Sequence, residues 1–126
     1  MDRHVVLIED EQNIVEAIRF LLSREGWTVS THQDGTDALE VIRAAKPDLV
    51  ILDIMLPGRS GMEILRDLRE EEDLKSLPVL MLTARGQAKD REMAEQAGVS
   101  RFMTKPFSNT EVVTAVRDLY AQASRG

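Results

Sequence analysis

Charged and polar side chains follow several short apolar runs of this sequence, at the point where each run ends. Glu9 and Asp10 follow the first run, and Asp53 follows a later one. The hydroxyl of Thr83 and the ammonium of Lys105 follow two further runs. Carboxylates that lie close together repel one another unless a cation lies among them, and an all-oxygen ligand set suits Mg²⁺. These residues predict a magnesium site if the fold brings the ends of the runs together.

The same residue types could also carry covalent chemistry. A carboxylate can act as a nucleophile toward phosphorus and form an aspartyl phosphate. The charge of that product needs compensation, which Mg²⁺ and Lys105 would provide while the Thr83 hydroxyl donates a hydrogen bond to a phosphoryl oxygen. We therefore expect phosphoryl transfer onto a carboxylate.

Short apolar runs are the elements that must position these groups. Three of them are unbroken by polar residues, which is typical of strands buried on both faces of a parallel sheet. Two weaker runs fit the same rhythm. The five predicted strands are Val5–Ile8, Trp27–Thr31, Leu49–Leu52, Val79–Leu82 and Phe102–Thr104. Ligands bind at the carboxyl ends of the strands in such sheets.

Helical patterns lie between the runs. Ser60 with Glu63 and Ser108 with Glu111 have the spacing of capping boxes and predict the starts of two helices. The stretch Gln87–Ala97 is the most polar helical pattern, so we expect little packing to hold it. Strand and helix alternate five times, which predicts a doubly wound α/β fold with right-handed crossovers.

Four motifs, LIEDE, LDIMLPGRSG, LTA and KPF, occur in this order, each at the end of a predicted strand. Together they resemble the receiver domain of bacterial response regulators of two-component signalling, and the chain is similar to the single-domain kind that acts in chemotaxis. The resemblance covers residues 1–126 as one receiver domain. It implies a flavodoxin-like fold with five helices and a parallel five-stranded sheet in the order 2-1-3-4-5.

The resemblance also implies roles for individual residues. Asp53 resembles the phosphate acceptor. Glu9 and Asp10 resemble the acidic pair that holds Mg²⁺, Asp10 directly and Glu9 through water. Asp53 itself and the backbone carbonyl of Met55 would complete the protein's share of the metal ligands.

Further residues match positions that respond to phosphorylation in this family. Thr83 resembles the switch hydroxyl, and Lys105 resembles the lysine that contacts the phosphoryl group. Phe102 falls at the aromatic switch position. Pro106 implies a cis bond after Lys105. Met55 and Arg85 flank the site and are expected to slow the attack of water on the phosphoaspartate.

The resemblance implies a phosphoryl donor and a target, both of them proteins. The donor would be a sensor histidine kinase or a phosphotransfer protein, and the target would bind the face of the fourth helix, fifth strand and fifth helix. Ser100 and Arg101 stand where dimerising relatives carry an acidic pair, which predicts a monomer or a weak dimer. The net charge of −6 argues against direct nucleic-acid binding. No apolar run approaches the roughly 20 residues of a membrane helix, so we expect a cytoplasmic protein.

Two other functions, a pseudo-receiver and a phosphohydrolase, are alternatives to this hypothesis. A pseudo-receiver would act as a phosphate-independent interaction module, although such proteins typically lack one of the acids or the lysine. A phosphohydrolase of the haloacid-dehalogenase type needs an aspartate two residues after its nucleophile, where this chain has Met55. The sequence therefore favours a switch that assists its own phosphorylation and dephosphorylation over an enzyme that turns over phosphate esters.

Overall fold

All five predicted strands are present in the computed structural model of the chain, which describes residues 3–84 and 88–125. They are β1 (Arg3–Ile8), β2 (Trp27–His32), β3 (Leu49–Asp53), β4 (Val79–Thr83) and β5 (Arg101–Thr104). Every neighbouring pair is parallel, in the order β2-β1-β3-β4-β5. The predicted doubly wound α/β fold and its strand order are confirmed.

Five helices connect the strands. They are α1 (Gln12–Arg24), α2 (Ala38–Ala45), α3 (Gly61–Glu70), α4 (Ala88–Gln96) and α5 (Asn109–Arg125). None of the helices in the described part of the chain is long and apolar enough to cross a membrane.

The sheet is buried on both faces at its three central strands, because the runs Val5–Ile8, Leu49–Leu52 and Val79–Leu82 are apolar at every position. In β1, Val5 and Leu7 pack with α1 and α5, whereas Val6 and Ile8 pack on the opposite face with α2, α3 and α4. This alternation follows from the two-residue period of a strand. It explains why unbroken apolar runs, rather than alternating ones, predicted these strands.

The strands differ in length from the sequence prediction. β3 ends at Asp53 and β4 ends at Thr83, so these two residues belong to the strands rather than to the loops after them. The reason is pairing: Asp53 lies opposite Leu82, and Thr83 lies opposite Thr104. A polar side chain at the last ladder position does not end a strand whose backbone is still paired.

Both predicted capping boxes are present. The Ser60 hydroxyl accepts from the Glu63 amide and the Glu63 carboxylate accepts from the Ser60 amide at the start of α3. Ser108 and Glu111 make the same reciprocal pair before α5. Each pair satisfies amides that the first turn of a helix leaves without a partner.

The fourth helix is weakly anchored, as its polar sequence predicted. Within α4 full burial is confined to Ala94, and Met93 is partly covered. Gln87, which the prediction included in this helix, lies outside the described residues. α3 is similar in length but buries five residues, so the two helices differ greatly in packing.

Candidate phosphoacceptor and metal site

Backbone hydrogen bonds join neighbouring strands at the edge of the sheet where all five strands end. The Glu9 amide donates to the carbonyl of His32 at 2.9 Å, and the Lys105 amide donates to the carbonyl of Thr83 at 2.7 Å. The amide of Ile54, directly after β3, donates to Leu82 at 3.0 Å. These bonds continue the parallel ladders to the ends of the strands. The side chains of Glu9, Asp53, Thr83 and Lys105 therefore lie side by side at this edge.

Three carboxylates meet at this edge. One oxygen each from Glu9, Asp10 and Asp53 lies within 4.8 Å of the other two. Glu9 and Asp53 are buried, whereas Asp10 is exposed. Oδ1 of Asp53 is buried and has no hydrogen-bond partner among the described residues. Since burial of an unpaired carboxylate oxygen is costly, this atom needs a cation or a donor.

Lys105 places its ammonium among the carboxylates. Nζ lies 2.9 Å from Oε1 of Glu9 and 3.4 Å from Oδ2 of Asp53. The contact with Glu9 has the distance of an ion pair but not the alignment of a hydrogen bond. The third contact is with Glu11, whose Oε1 lies 3.0 Å from Nζ. One positive charge thus serves three carboxylates.

The pKa values of two groups reflect this crowding. Burial raises the pKa of Glu9 from 4.5 to about 7, against the opposing pull of Lys105. Burial alone would lower the pKa of Lys105, but the carboxylates of Glu9, Glu11 and Asp53 outweigh it and hold that pKa above its usual 10.5. Negative charge is therefore in excess at this edge.

The donor set fits a magnesium ion. All the converging ligand atoms are carboxylate oxygens, which hard divalent cations prefer. A cation held by Glu9, Asp10 and Asp53 would offset their repulsion and would supply the partner that Oδ1 of Asp53 lacks. The cluster could therefore bind a metal.

The chain returns to the backbone of Asp53 at the start of α3. The Gly61 amide donates to the carbonyl of Ile54 at 2.9 Å, and a Cβ atom on Gly61 would lie 2.1 Å from the carbonyl oxygen of Asp53. Only glycine permits this approach. Met55 lies in the loop between β3 and α3 with its side chain 74% exposed. The close approach of Gly61 therefore constrains the backbone at Asp53, whereas Met55 lies at the surface.

The predicted switch residues lie near the site. Thr83 is buried at the end of β4. Phe102 is half-buried, and the Arg91 guanidinium of α4 lies 5.5 Å from the centre of its ring. The Lys105–Pro106 bond is cis, as expected. The switch roles themselves stay predictions, and Arg85 lies outside the described residues.

Sequence reasoning missed Glu11. Its carboxylate reaches Lys105, and its amide donates to Oε2 of Glu9 at 3.1 Å. The sequence does show a third acid directly after Glu9 and Asp10. Its role could not be predicted, because it depends on the direction in which the side chain points. Arg101, which stands at one of the two positions where dimerising relatives carry an acidic pair, lies 3.4 Å from the carboxylate of Asp118 on α5.

Comparisons with known proteins agree with this geometry. A family model described as the response regulator receiver domain matches residues 5–117. A putative response regulator from Chloroflexus aurantiacus is 30% identical, with a TM-score of 0.91 over 96% of this chain and 99% of the other. The BeF3-activated N-terminal receiver domain of Klebsiella pneumoniae RstA is also 30% identical, with a TM-score of 0.86 over 94% and 98%.

A third similar structure comes from a kinase. The signal receiver domain of a signal transduction histidine kinase from Syntrophus aciditrophicus is 25% identical, with a TM-score of 0.90 over 98% of this chain and 94% of the other. The fold is thus shared by receiver domains from regulators and from a kinase.

Proposed function

The chain belongs to the family of response regulator receiver domains, and from this premise we propose that it is a Mg²⁺-dependent phosphorylation switch with Asp53 as the phosphate acceptor. The phosphoryl group would come from a histidine kinase or a phosphotransfer protein. A downstream protein would read the phosphorylated state on the face of α4, β5 and α5. One receiver domain over residues 1–126 and the expected cytoplasmic location belong to this proposal.

Each residue of the site has a task in the proposed transfer. An oxygen of Asp53 attacks phosphorus, the bond from phosphorus to the donor's histidine nitrogen breaks, and that nitrogen keeps the electron pair. Bound Mg²⁺, held by Glu9, Asp10, Asp53 and the backbone carbonyl of Met55, would neutralise charge on the phosphoryl oxygens. The Lys105 ammonium contacts one of those oxygens, and the Thr83 hydroxyl donates to another. Hydrolysis of the product by water returns the free carboxylate.

One observation carries the proposal. Asp53 is 2% exposed and lies beside Lys105, Glu9 and Asp10, and its Oδ1 has no hydrogen-bond partner in the part of the chain that the structure describes. A carboxylate kept for packing or capping would have its oxygens satisfied. An unsatisfied oxygen beside a cation suits a nucleophile that is free to attack.

Weak packing of α4 supports a route from the site to a partner. The new charge on Asp53 would draw Thr83 and Lys105 toward it, and Phe102 could turn inward as they move. α4 buries little apart from Ala94, so it is the element that shifts at least cost. The phosphoryl group would bias an equilibrium that already exists.

The test is a gain of mass. The chain is incubated with Mg²⁺ and acetyl phosphate, and its intact mass is compared with that of an Asp53→Asn variant. We expect one added phosphoryl group in the unaltered chain, none in the variant, and none in either protein when a chelator removes Mg²⁺. A folded chain that gains no phosphoryl group from several donors would instead support a pseudo-receiver that binds its partner without phosphate.

A further inference from the structure

Glu11 lies in the site without a task in the proposed transfer. It occupies the N-cap position of α1, yet its side chain accepts no hydrogen bond from that helix. Its Oε1 instead lies 3.0 Å from Nζ of Lys105, far along the chain. The Glu11 amide is tied to Oε2 of Glu9, which fixes the start of α1 against the site. Contact with Lys105, rather than helix capping, therefore explains the position of this carboxylate.

The three carboxylates around Lys105 differ in their access to water. The side chain of Glu9 is completely buried and that of Asp53 is 2% exposed, whereas that of Glu11 is 57% exposed. An ammonium has three N–H donors. Lys105 gives one of these donors to a hydrogen bond with Glu11 and holds Glu9 and Asp53 at ion-pair distance. A phosphoryl group on Asp53 adds anionic oxygens beside Nζ, which compete with the present carboxylates for the ammonium.

Burial decides which partner leaves. Moving Lys105 away from Glu9 would leave a completely buried carboxyl group without its ammonium partner, and water cannot replace that contact. Glu11 can turn into solvent, where its carboxylate is hydrated, and an exposed ion pair loses little when it opens. Glu11 is thus the partner that Lys105 can exchange for a phosphoryl oxygen.

We infer that Glu11 is a positioning residue that holds Lys105 in the unphosphorylated chain and releases it as Asp53 gains its phosphoryl group. The inference rests on the proposed function of Asp53. Since the contact between Glu11 and Lys105 must open before the transition state, it opposes phosphorylation. In the phosphorylated chain it is already open, so it leaves hydrolysis unaffected. One exposed acid would therefore affect the rate at which Asp53 is phosphorylated without affecting the lifetime of the phosphoaspartate.

The experiment measures both rates in a Glu11→Gln variant, which removes the charge and keeps the shape. Mass spectrometry follows phosphorylation by acetyl phosphate, and after donor removal it follows loss of the phosphoryl group. We expect phosphorylation to be about two- to five-fold faster, the range for one solvent-exposed ion pair. The rate of loss should be unchanged. Glu16→Gln, an exposed acid of α1 without an ion pair among the described residues, should alter neither rate.

A rival explanation is attraction of the anionic donor once a negative charge is gone. Glu11 borders the same surface cleft as Lys105 and Ala84, so this effect must be separated. In a Lys105→Met background, Glu11→Gln should have no effect if Glu11 acts through Lys105, whereas donor attraction would persist. Should that background take up too little phosphate to follow, a donor of smaller negative charge, phosphoramidate, decides. Release of Lys105 should speed both donors by the same factor, whereas donor attraction falls with the charge of the donor.

The possible results distinguish the inferred role of Glu11 from the proposed function of Asp53. Equal loading rates in the Glu11→Gln variant and the unaltered chain would overturn the inference while leaving the proposed function intact. So would an effect that persists without Lys105 or that falls with the charge of the donor. Parallel changes in loading and loss would also overturn it. A chain that never gains a phosphoryl group would overturn the proposed function and this inference with it.

Discussion

Four carboxylates share the functional edge of the sheet with one ammonium, and they differ mainly in exposure. Glu9 and Asp53 are buried, whereas Asp10 and Glu11 face water. Lys105 contacts the two buried acids and Glu11. No ion pair involving Asp10 occurs among the described residues, so its charge remains available to a metal.

Substitution of Asp10 should therefore act on metal binding. We expect Asp10→Asn to weaken Mg²⁺ binding at least ten-fold, because even groups that only support a ligand alter affinity ten- to hundred-fold. Isothermal titration calorimetry measures the affinity. Asp73→Asn, an exposed acid beyond α3, is the matched control and should bind as the unaltered chain does. Equal affinity in the two variants would remove Asp10 from the ligand set.

Individual contacts show where sequence reasoning stops. The convergence of Glu9, Asp53 and Lys105 followed from strand ends alone, because parallel strands end at one edge. The contact of Glu11 with Lys105 did not follow, since it depends on the direction of two flexible side chains from opposite ends of the chain. Such a pairing leaves no local pattern.

At the scale of elements, the start of α3 is where secondary structure and site are most closely joined. The capping box of Ser60 and Glu63 begins the helix, and Gly61 lies against the backbone of Asp53. The sequence predicted the helix start but not the close approach, because a glycine at the first position of a helix has many uses. The capping box therefore fixes the helix, and Gly61 fixes its distance from the site.

A Gly61→Ala substitution should destabilise the fold. Its Cβ would lie 2.1 Å from the carbonyl oxygen of Asp53, which is a backbone atom with no room to move. Overpacking of this kind costs about 1 to 3 kcal/mol in the free energy of unfolding, which urea titration measures. Arg66→Ala, at an exposed position of α3, should change it by no more than ~0.5 kcal/mol. A Gly61→Ala variant as stable as that control would mean that the loop adapts freely.

The unequal packing of α3 and α4 should appear in amide hydrogen exchange. α3 buries five residues and has a capping box, whereas full burial in α4 is confined to Ala94. We expect the amides of α4 to exchange at least ten-fold faster than those of α3, since weakly packed elements open locally. Mass-spectrometric exchange at neutral pH resolves the two helices. Equal protection would contradict α4 as the element that shifts at least cost.

At the scale of the whole molecule, the interior of the sheet and its carboxyl edge have different roles. The central strands β1, β3 and β4 are apolar on both faces and hold the core, while the carboxyl ends of β1 and β3 carry acids that repel one another. The chain is also acidic overall, with a net charge of −6. Stability and function therefore oppose each other at one edge, and a bound cation relieves the conflict.

This conflict predicts that one substitution has two opposite effects. Asp53→Asn removes a charge from the crowded edge, while Lys105 keeps Glu9 and Glu11 as partners. Without metal, the variant should be more stable than the unaltered chain by about 1 to 4 kcal/mol, the range for unit charges ~4 Å apart between water and a protein surface. Saturating Mg²⁺ should stabilise the unaltered chain by about 2.7 kcal/mol at a hundred times its dissociation constant, and the variant by less. Thermal unfolding with Mg²⁺, or with NaCl at equal ionic strength, measures both effects. A variant that is less stable without metal would show that Asp53 contributes more through its contact with Lys105 than it costs through repulsion.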